Sequence, residues 1–239
     1  MISSDTIRKL AVTHQTTELN IAREYAQHLF LSGFYQQAGT EQVMFKGGTA
    51  LRLVYGSPRF SEDLDFSGFG VRVKSIEDWV ADASSGIEQA GVPVSIEESK
   101  QTSGGYLSIL ILSIAGQQIS IQMEVSLRRK NGLKGRGVLV SSDLVPAYVA
   151  TLLPEDALVE EKLMALINRG KPRDFYDCYF MLRRNMIPLK HKRLLPAAKE
   201  ALAKTKINFK TELKDFLPRT QQIIITDFKK TLMAELERW

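Results

Sequence analysis

The segment from Ile119 to Leu127 alternates strictly between apolar and polar side chains. Since successive side chains of a β-strand point to opposite faces, this period of two predicts a strand with one face in the core. The preceding segment, 106–114, is almost continuously apolar, and we expect it to be a strand buried on both faces. Gly116-Gln117 predicts a hairpin turn between them. The sequence therefore predicts a β-sheet, with Glu124 on the polar face of one of its strands.

The rest of the chain predicts helices and short strands around this sheet. We expect helices over 17–36 and 49–55, a helix opened by a Ser75–Asp78 capping box, and strands over 43–45, 63–66 and 92–97. Residues 131–153 predict a connector with one short strand, 138–140.

From Pro154 onward the pattern is helical, and Gly170 and Pro172 predict the end of one helix and the start of the next. The predicted fold is α+β. Residues 1–150 form a domain with a mixed sheet and flanking helices, and residues 151–239 form a helical domain.

Composition excludes several classes of protein. The chain has 239 residues, of which 44% are hydrophobic and 25% charged, as is usual for globular proteins. We find no apolar run of about 18 residues that would cross a membrane, and no secretory signal at the N-terminus. Cys178 is the single cysteine, so an internal disulfide is impossible. We expect a cytoplasmic protein.

Charge is distributed unevenly along the chain. Residues 151–239 carry 18 Lys and Arg against 12 Asp and Glu, whereas residues 1–150 carry 14 against 15. A basic second half favours a polyanionic partner such as nucleic acid. A solvated basic surface is the alternative.

A glycine pair lies between a predicted strand and a predicted helix. Gly47 and Gly48, flanked by Lys46 and Thr49, would leave backbone N–H groups free at the start of the helix. Such donors and the helix dipole favour an anion, glycine permits close approach of a phosphate, and the Thr49 hydroxyl adds a donor. A plain tight turn is the alternative.

Two carboxylates follow at spacing two. In a strand Asp63 and Asp65 share one face, and their mutual repulsion would be relieved by Mg²⁺ or Mn²⁺. Glu124 would be a third ligand if its strand pairs beside residues 63–66. The alternatives are a solvated acidic strand end, paired with Arg59, and an exposed Glu124.

These motifs resemble the nucleotidyltransferase superfamily of the DNA polymerase β type, and more closely its AbiEii/AbiGii toxin family. The resemblance rests on KGGTAL at 46–51, RFSEDLDF at 59–66, EEKLMALINR at 160–169 and KPRDFYD at 171–177. It departs from the family in having Glu124 where Asp is common, and in a longer interval between Lys162 and Arg169.

The resemblance implies a polymerase-β-like domain that transfers a nucleotide from a nucleoside triphosphate to an acceptor hydroxyl, with a tRNA 3′ end as acceptor in some members. It implies a cognate antitoxin, a role in abortive infection and phage defence, and Mg²⁺ or Mn²⁺ held by Asp63, Asp65 and Glu124. By resemblance Lys162 and one acid of the 173–177 segment belong to the active site, and we favour Asp174 over Asp177.

Helical spacing supports part of this implication. Lys162 and Arg169 lie two turns apart on one face, where they would hold phosphates, although surface pairing with Glu155 and Glu161 is an alternative. Asp174 and Asp177 also suit the start of a helix. Two other functions share these motifs: a nucleotidyltransferase that modifies a small molecule such as an antibiotic, and an inactive nucleotide-binding relative.

Overall fold

A mixed sheet organises the first part of the chain in the computed structural model, which describes residues 2–128 and 133–239. Within those residues the strands are β1 (Val43–Lys46), β2 (Leu64–Phe69), β3 (Val94–Thr102), β4 (Gly105–Ile114), β5 (Gln117–Arg128), β6 (Arg136–Val140) and β7 (Tyr148–Leu152). Their order across the sheet is β3-β4-β5-β2-β1-β7-β6. β2 pairs antiparallel with β1 and parallel with β5, so it lies at the centre.

Helices precede, interrupt and follow the sheet. They are α1 (Ser4–Thr13), α2 (Glu18–Tyr35), α3 (Gly47–Leu53), α4 (Val73–Gln89), α5 (Glu155–Asn168), α6 (Pro172–Arg183), α7 (Leu195–Lys204), α8 (Phe209–Leu213) and α9 (Phe228–Arg238). The predicted α+β class is confirmed. No helix within the described ranges combines the length and apolar character needed to span a membrane.

The described residues divide into two compact units. Of these residues, the first unit comprises 2–56, 60–128 and 133–153, and the second comprises 57–59 and 154–239. The second unit thus includes three residues of the loop between α3 and β2. The domain boundary near residue 150 stays a prediction.

The core of the first unit lies between the sheet and the long helices. Phe34 of α2 packs against Phe66 of β2 and Trp79 of α4, with ring centroids 5.8 and 6.2 Å apart. Leu64 and Phe66 are fully buried, as the alternation in β2 predicts. This burial fixes which face of β2 carries Asp65.

The second unit has an aromatic core of its own. The ring of Phe228 stacks on Tyr176 at 5.8 Å and meets Phe209 at 4.9 Å. These contacts join α6, α8 and α9. The predicted helices after Pro154 and Pro172 are present as α5 and α6.

Several predicted elements are corrected. The capping box at Ser75 is wrong, because α4 begins at Val73 with Arg72 as its N-cap. The segment 106–114 is not buried on both faces: Leu110 and Leu112 are buried, whereas Ile109 and Ile111 are only half-buried.

Two elements are additional to those predicted. α1 precedes the predicted first helix, and the predicted connector carries a second strand, β7, which pairs parallel with β1. The first two residues of that connector, 131 and 132, lie outside the described residues.

Candidate active site

Three charged residues lie in one row across the centre of the sheet. Asp65 of β2 is directly opposite Glu124 of β5 in the parallel register and opposite Lys46 of β1 in the antiparallel register. Directly opposed residues on neighbouring strands point to the same face and are about 5 Å apart. The strand pairing that the sequence analysis required for Glu124 is therefore present.

Gly47 determines where the Asp65 side chain can lie. Its φ of 82° is in the left-handed region that favours glycine. A Cβ at this position would overlap Oδ2 of Asp65 and lie 2.7 Å from the Asp65 Cβ. Glycine is therefore required at position 47 by the left-handed backbone of the turn and by the nearby Asp65 carboxylate. These two reasons add to the predicted close approach of a phosphate.

Asp63 immediately precedes β2 and is held through its backbone. The Thr49 hydroxyl donates a 2.5 Å hydrogen bond to the Asp63 carbonyl oxygen. Thr49 is fully buried, and Gly47 and Gly48 beside it are buried. This bond ties α3 to the start of β2, and it engages the hydroxyl that the sequence analysis assigned to a phosphate.

The donor chemistry of the acidic residues suits a hard divalent cation. Asp63 and Asp65 are half-buried, and Glu124 is exposed and accepts a 2.5 Å hydrogen bond from Gln122 Nε2. In the described part of the chain, no three His, Cys, Asp or Glu side chains are grouped closely enough to hold a metal ion. A complete ligand set is therefore not preformed. Since Mg²⁺ is usually held by one or two carboxylates together with substrate phosphates, the residues present still fit it.

A buried charge cluster lies in the second unit. Asp177 of α6 accepts hydrogen bonds from Arg59 Nε at 2.9 Å and from Lys162 Nζ of α5 at 2.7 Å. The side chains of Arg59, Asp177 and Lys162 are 3%, 0% and 12% exposed. Burial by itself would raise the pKa of Asp177, but the charges of Arg59 and Lys162 outweigh it and hold the pKa below its ordinary value.

This cluster bears on two interpretations from the sequence. Arg59 pairs with Asp177, 118 residues away in the chain. Lys162 is buried against Asp177 rather than paired on the surface with Glu155 or Glu161. No periodicity or spacing in the sequence reports a contact of this range, so Arg59 was not among the predicted site residues.

Asp174 has a different environment from Asp177. Its two oxygens accept hydrogen bonds from Arg169 Nε and Nη2 at 2.9 and 2.8 Å, and Oδ2 also accepts from the Lys171 backbone N–H at 3.0 Å. The bond from the Lys171 N–H caps the N-terminus of α6, and the two bonds from Arg169 form an ion pair with the carboxylate. Asp174 is fully buried. The geometry therefore favours Asp177 over Asp174 as the acid that acts with Lys162, and the catalytic and phosphate-binding roles of these residues remain predictions.

Comparisons with known proteins agree with the motifs. The family model for the nucleotidyl transferase AbiEii toxin of type IV toxin–antitoxin systems matches residues 29–238, whereas no curated protein sequence matches significantly. MenT4, a nucleotidyltransferase toxin from Mycobacterium tuberculosis H37Rv, is 17% identical with a TM-score of 0.71, covering 100% of this chain and 91% of that chain. JHP933 from Helicobacter pylori is 18% identical with a TM-score of 0.58, covering 93% of this chain and 95% of that chain. These two structures share the fold of this chain.

Because the family match extends over most of its length, the chain belongs to the AbiEii nucleotidyl transferase toxin family of type IV toxin–antitoxin systems and is a nucleotidyltransferase.

Proposed function

We propose that this nucleotidyltransferase transfers a nucleotide from a nucleoside triphosphate to the 3′ hydroxyl of a tRNA and thereby arrests growth. The observation that carries the catalytic part is the parallel pairing of β2 and β5, which sets Asp65 beside Glu124. The basic composition of residues 151–239 supports a polyanionic acceptor. A small-molecule acceptor would not need this charge.

Asp63, Asp65 and Glu124 are the residues that would hold Mg²⁺ or Mn²⁺. Bound there, the ion would neutralise phosphate charge and lower the pKa of the acceptor hydroxyl. This assignment is supported by the oxygen donor set and by the space that Gly47, which lacks a Cβ, leaves for the Asp65 carboxylate. Burial of Leu64 and Phe66 beneath the acids keeps them on rigid backbone.

Five further predicted residues act on the triphosphate. Gly47 and Gly48 offer backbone donors and Lys46 a cation, while Lys162 neutralises charge that develops on the phosphates in the transition state. Arg169 adds a guanidinium contact to the phosphates in this proposal. Asp177, which binds Lys162 Nζ at 2.7 Å, orients that ammonium group.

The family also supplies a biological setting for the proposal. A type IV system implies an antitoxin that counteracts the toxin, and we propose that the enzyme acts in the cytoplasm, where tRNA and triphosphates are available. Growth arrest of an infected cell would give the phage defence that the resemblance implies.

Transfer of a label tests the function directly. The protein is incubated with Mg²⁺, each α-labelled nucleoside triphosphate in turn and unfractionated tRNA. We expect label on the tRNA 3′ end, and we expect Asp65→Asn to lower the rate by at least about 100-fold, because loss of a metal ligand removes several kcal/mol of transition-state stabilisation.

Glu97→Gln is the matched control, since it neutralises an exposed acid on β3 of the same sheet and should retain full activity. Label on small molecules alone would refute the tRNA acceptor. Equal toxicity of wild type and Asp65→Asn in growing cells would refute the catalytic proposal.

A further inference from the structure

We propose that the cationic end of the second unit, formed by Arg183, Lys190, Lys192, Arg193 and Arg238, binds the phosphodiester backbone of the RNA acceptor. This inference rests on the proposed function for the identity of the acceptor. From Cys178 to Lys199 the sequence has six Lys and Arg and neither Asp nor Glu. The charge that makes the second half of the chain basic is therefore concentrated in one segment.

One carboxylate serves two arginines at this end. Arg183 Nη1 and Arg238 Nη1 both contact Oε1 of Glu235, at 3.1 and 3.0 Å. Their side chains are 54% and 66% exposed, whereas that of Glu235 is only 11% exposed. A single negative charge neutralises one of the two guanidinium groups, so the exposed surface keeps an excess positive charge.

A second carboxylate is shared in the same way. Asp156 Oδ2 contacts Lys190 Nζ at 2.5 Å, and Oδ1 contacts His191 Nε2 at 2.9 Å. Lys192 and Arg193 follow directly, and neither has an ion pair to an acid in the described ranges 2–128 and 133–239. Five cations thus face two carboxylates.

Stabilisation of the fold explains only part of this arrangement. Arg183 and Arg238 are the last residues of α6 and α9, where a cation complements the negative end of the helix dipole. The segment 190–193 instead precedes α7, whose first turn contains no acid. Cations at the positive end of a helix are unfavourable for folding, and a bound phosphate would reverse that effect.

An aromatic ring lies beside these cations. The Lys192 Nζ is 4.8 Å from the ring centroid of Trp239, which is half-buried. Cations that follow a backbone together with an aromatic ring for stacking are the combination that single-stranded nucleic acids use. This combination favours RNA over a simple inorganic anion.

Salt dependence of tRNA binding tests the surface without chemistry. We would measure the affinity of the full chain for unfractionated tRNA, without nucleoside triphosphate, across a series of salt concentrations. Each phosphate contact contributes about 0.7 to 0.9 to the slope of log affinity against log salt. The double variant Lys192→Gln/Arg193→Gln should therefore lower the slope by about 1.5, with an unchanged thermal unfolding midpoint.

Lys206→Gln/Lys210→Gln is the matched control, because it removes the same charge from exposed positions elsewhere in the same unit. Its slope should equal that of the wild type. Equal losses in both double variants, or no loss at positions 192 and 193, would overturn the inference. Normal salt-dependent binding by a wild type that never labels tRNA would instead leave the surface intact and refute the transfer proposal.

Discussion

At the scale of single residues, the acidic pair depends on neighbours that carry no charge. Gly47 leaves the space that the Asp65 carboxylate occupies, and Thr49 holds the carbonyl of Asp63. Both belong to the motif that the sequence analysis assigned to phosphate binding. The structure indicates that the same turn also positions the acids, which is why the two motifs occur so close together in the chain.

Thr49 allows these two roles to be separated. Thr49→Val keeps the shape but removes the hydroxyl, so Asp63 loses a hydrogen bond worth about 1 kcal/mol. If Thr49 is a positioning residue, kcat should fall by about fivefold, since about 1 kcal/mol in the barrier corresponds to a factor of about five. The KM for the nucleotide should change little.

Thr49→Ser is the control for this prediction, because it restores the hydroxyl and should recover most of kcat. Steady-state kinetics with varied nucleoside triphosphate give both parameters. A raised KM with unchanged kcat in Thr49→Val would show that the hydroxyl binds phosphate instead.

At the scale of elements, the loop between α3 and β2 contributes a charged side chain to the second unit. Arg59 forms a two-point ion pair with Asp177, with Nε 2.9 Å from Oδ1 and Nη2 3.1 Å from Oδ2. Lys162 completes the cluster from α5. Removal of one member of a buried ion pair leaves an uncompensated charge, which is more costly than the loss of a surface contact.

Asp177→Asn should therefore destabilise the protein by about 3–5 kcal/mol, because Arg59 and Lys162 remain buried without their counter-charge. Denaturant unfolding measures this change. Glu200→Gln, which breaks the exposed pair with Lys204 on α7, should leave the unfolding midpoint almost unchanged. A variant at Asp177 as stable as wild type would mean that the cluster does not stabilise the fold.

The sequence predicted those elements whose pattern is local. The strict alternation of β5 put Glu124 on the polar face, and Pro154 and Pro172 marked the starts of α5 and α6. β7 was missed because its outward position Val149 is apolar, so the segment lacks the alternation of apolar and polar side chains that predicts a half-buried strand. The Arg59–Asp177 pair was missed because side-chain contacts between distant segments leave no periodic signal.

At the scale of the whole molecule, buried ionisable groups make stability depend on pH. His28 of α2 is 3% exposed, and its Nδ1 lies 2.9 Å from the Tyr148 hydroxyl of β7. Burial lowers the pKa of His28 to about 4, with Glu24 acting in the opposite direction and Arg52 in the same direction. The imidazole is therefore neutral in the folded protein at neutral pH.

A group whose pKa is depressed by folding stabilises the protein above its unfolded pKa and loses that contribution as pH falls. For His28 the loss should begin near pH 6.5 and be complete near pH 4, and it should reach up to about 3 kcal/mol. Asp177, whose pKa is also lowered, should add a further loss only below about pH 4. Denaturant unfolding at a series of pH values would separate these two pH ranges.

His28→Asn, which cannot titrate, should be less stable than wild type at pH 7.5. Its free energy of unfolding should not change between pH 6.5 and 4, whereas the same substitution at exposed His14 should leave the loss of stability over that range in place. A wild-type curve that is already flat over that window would show that His28 does not resist protonation in the folded protein.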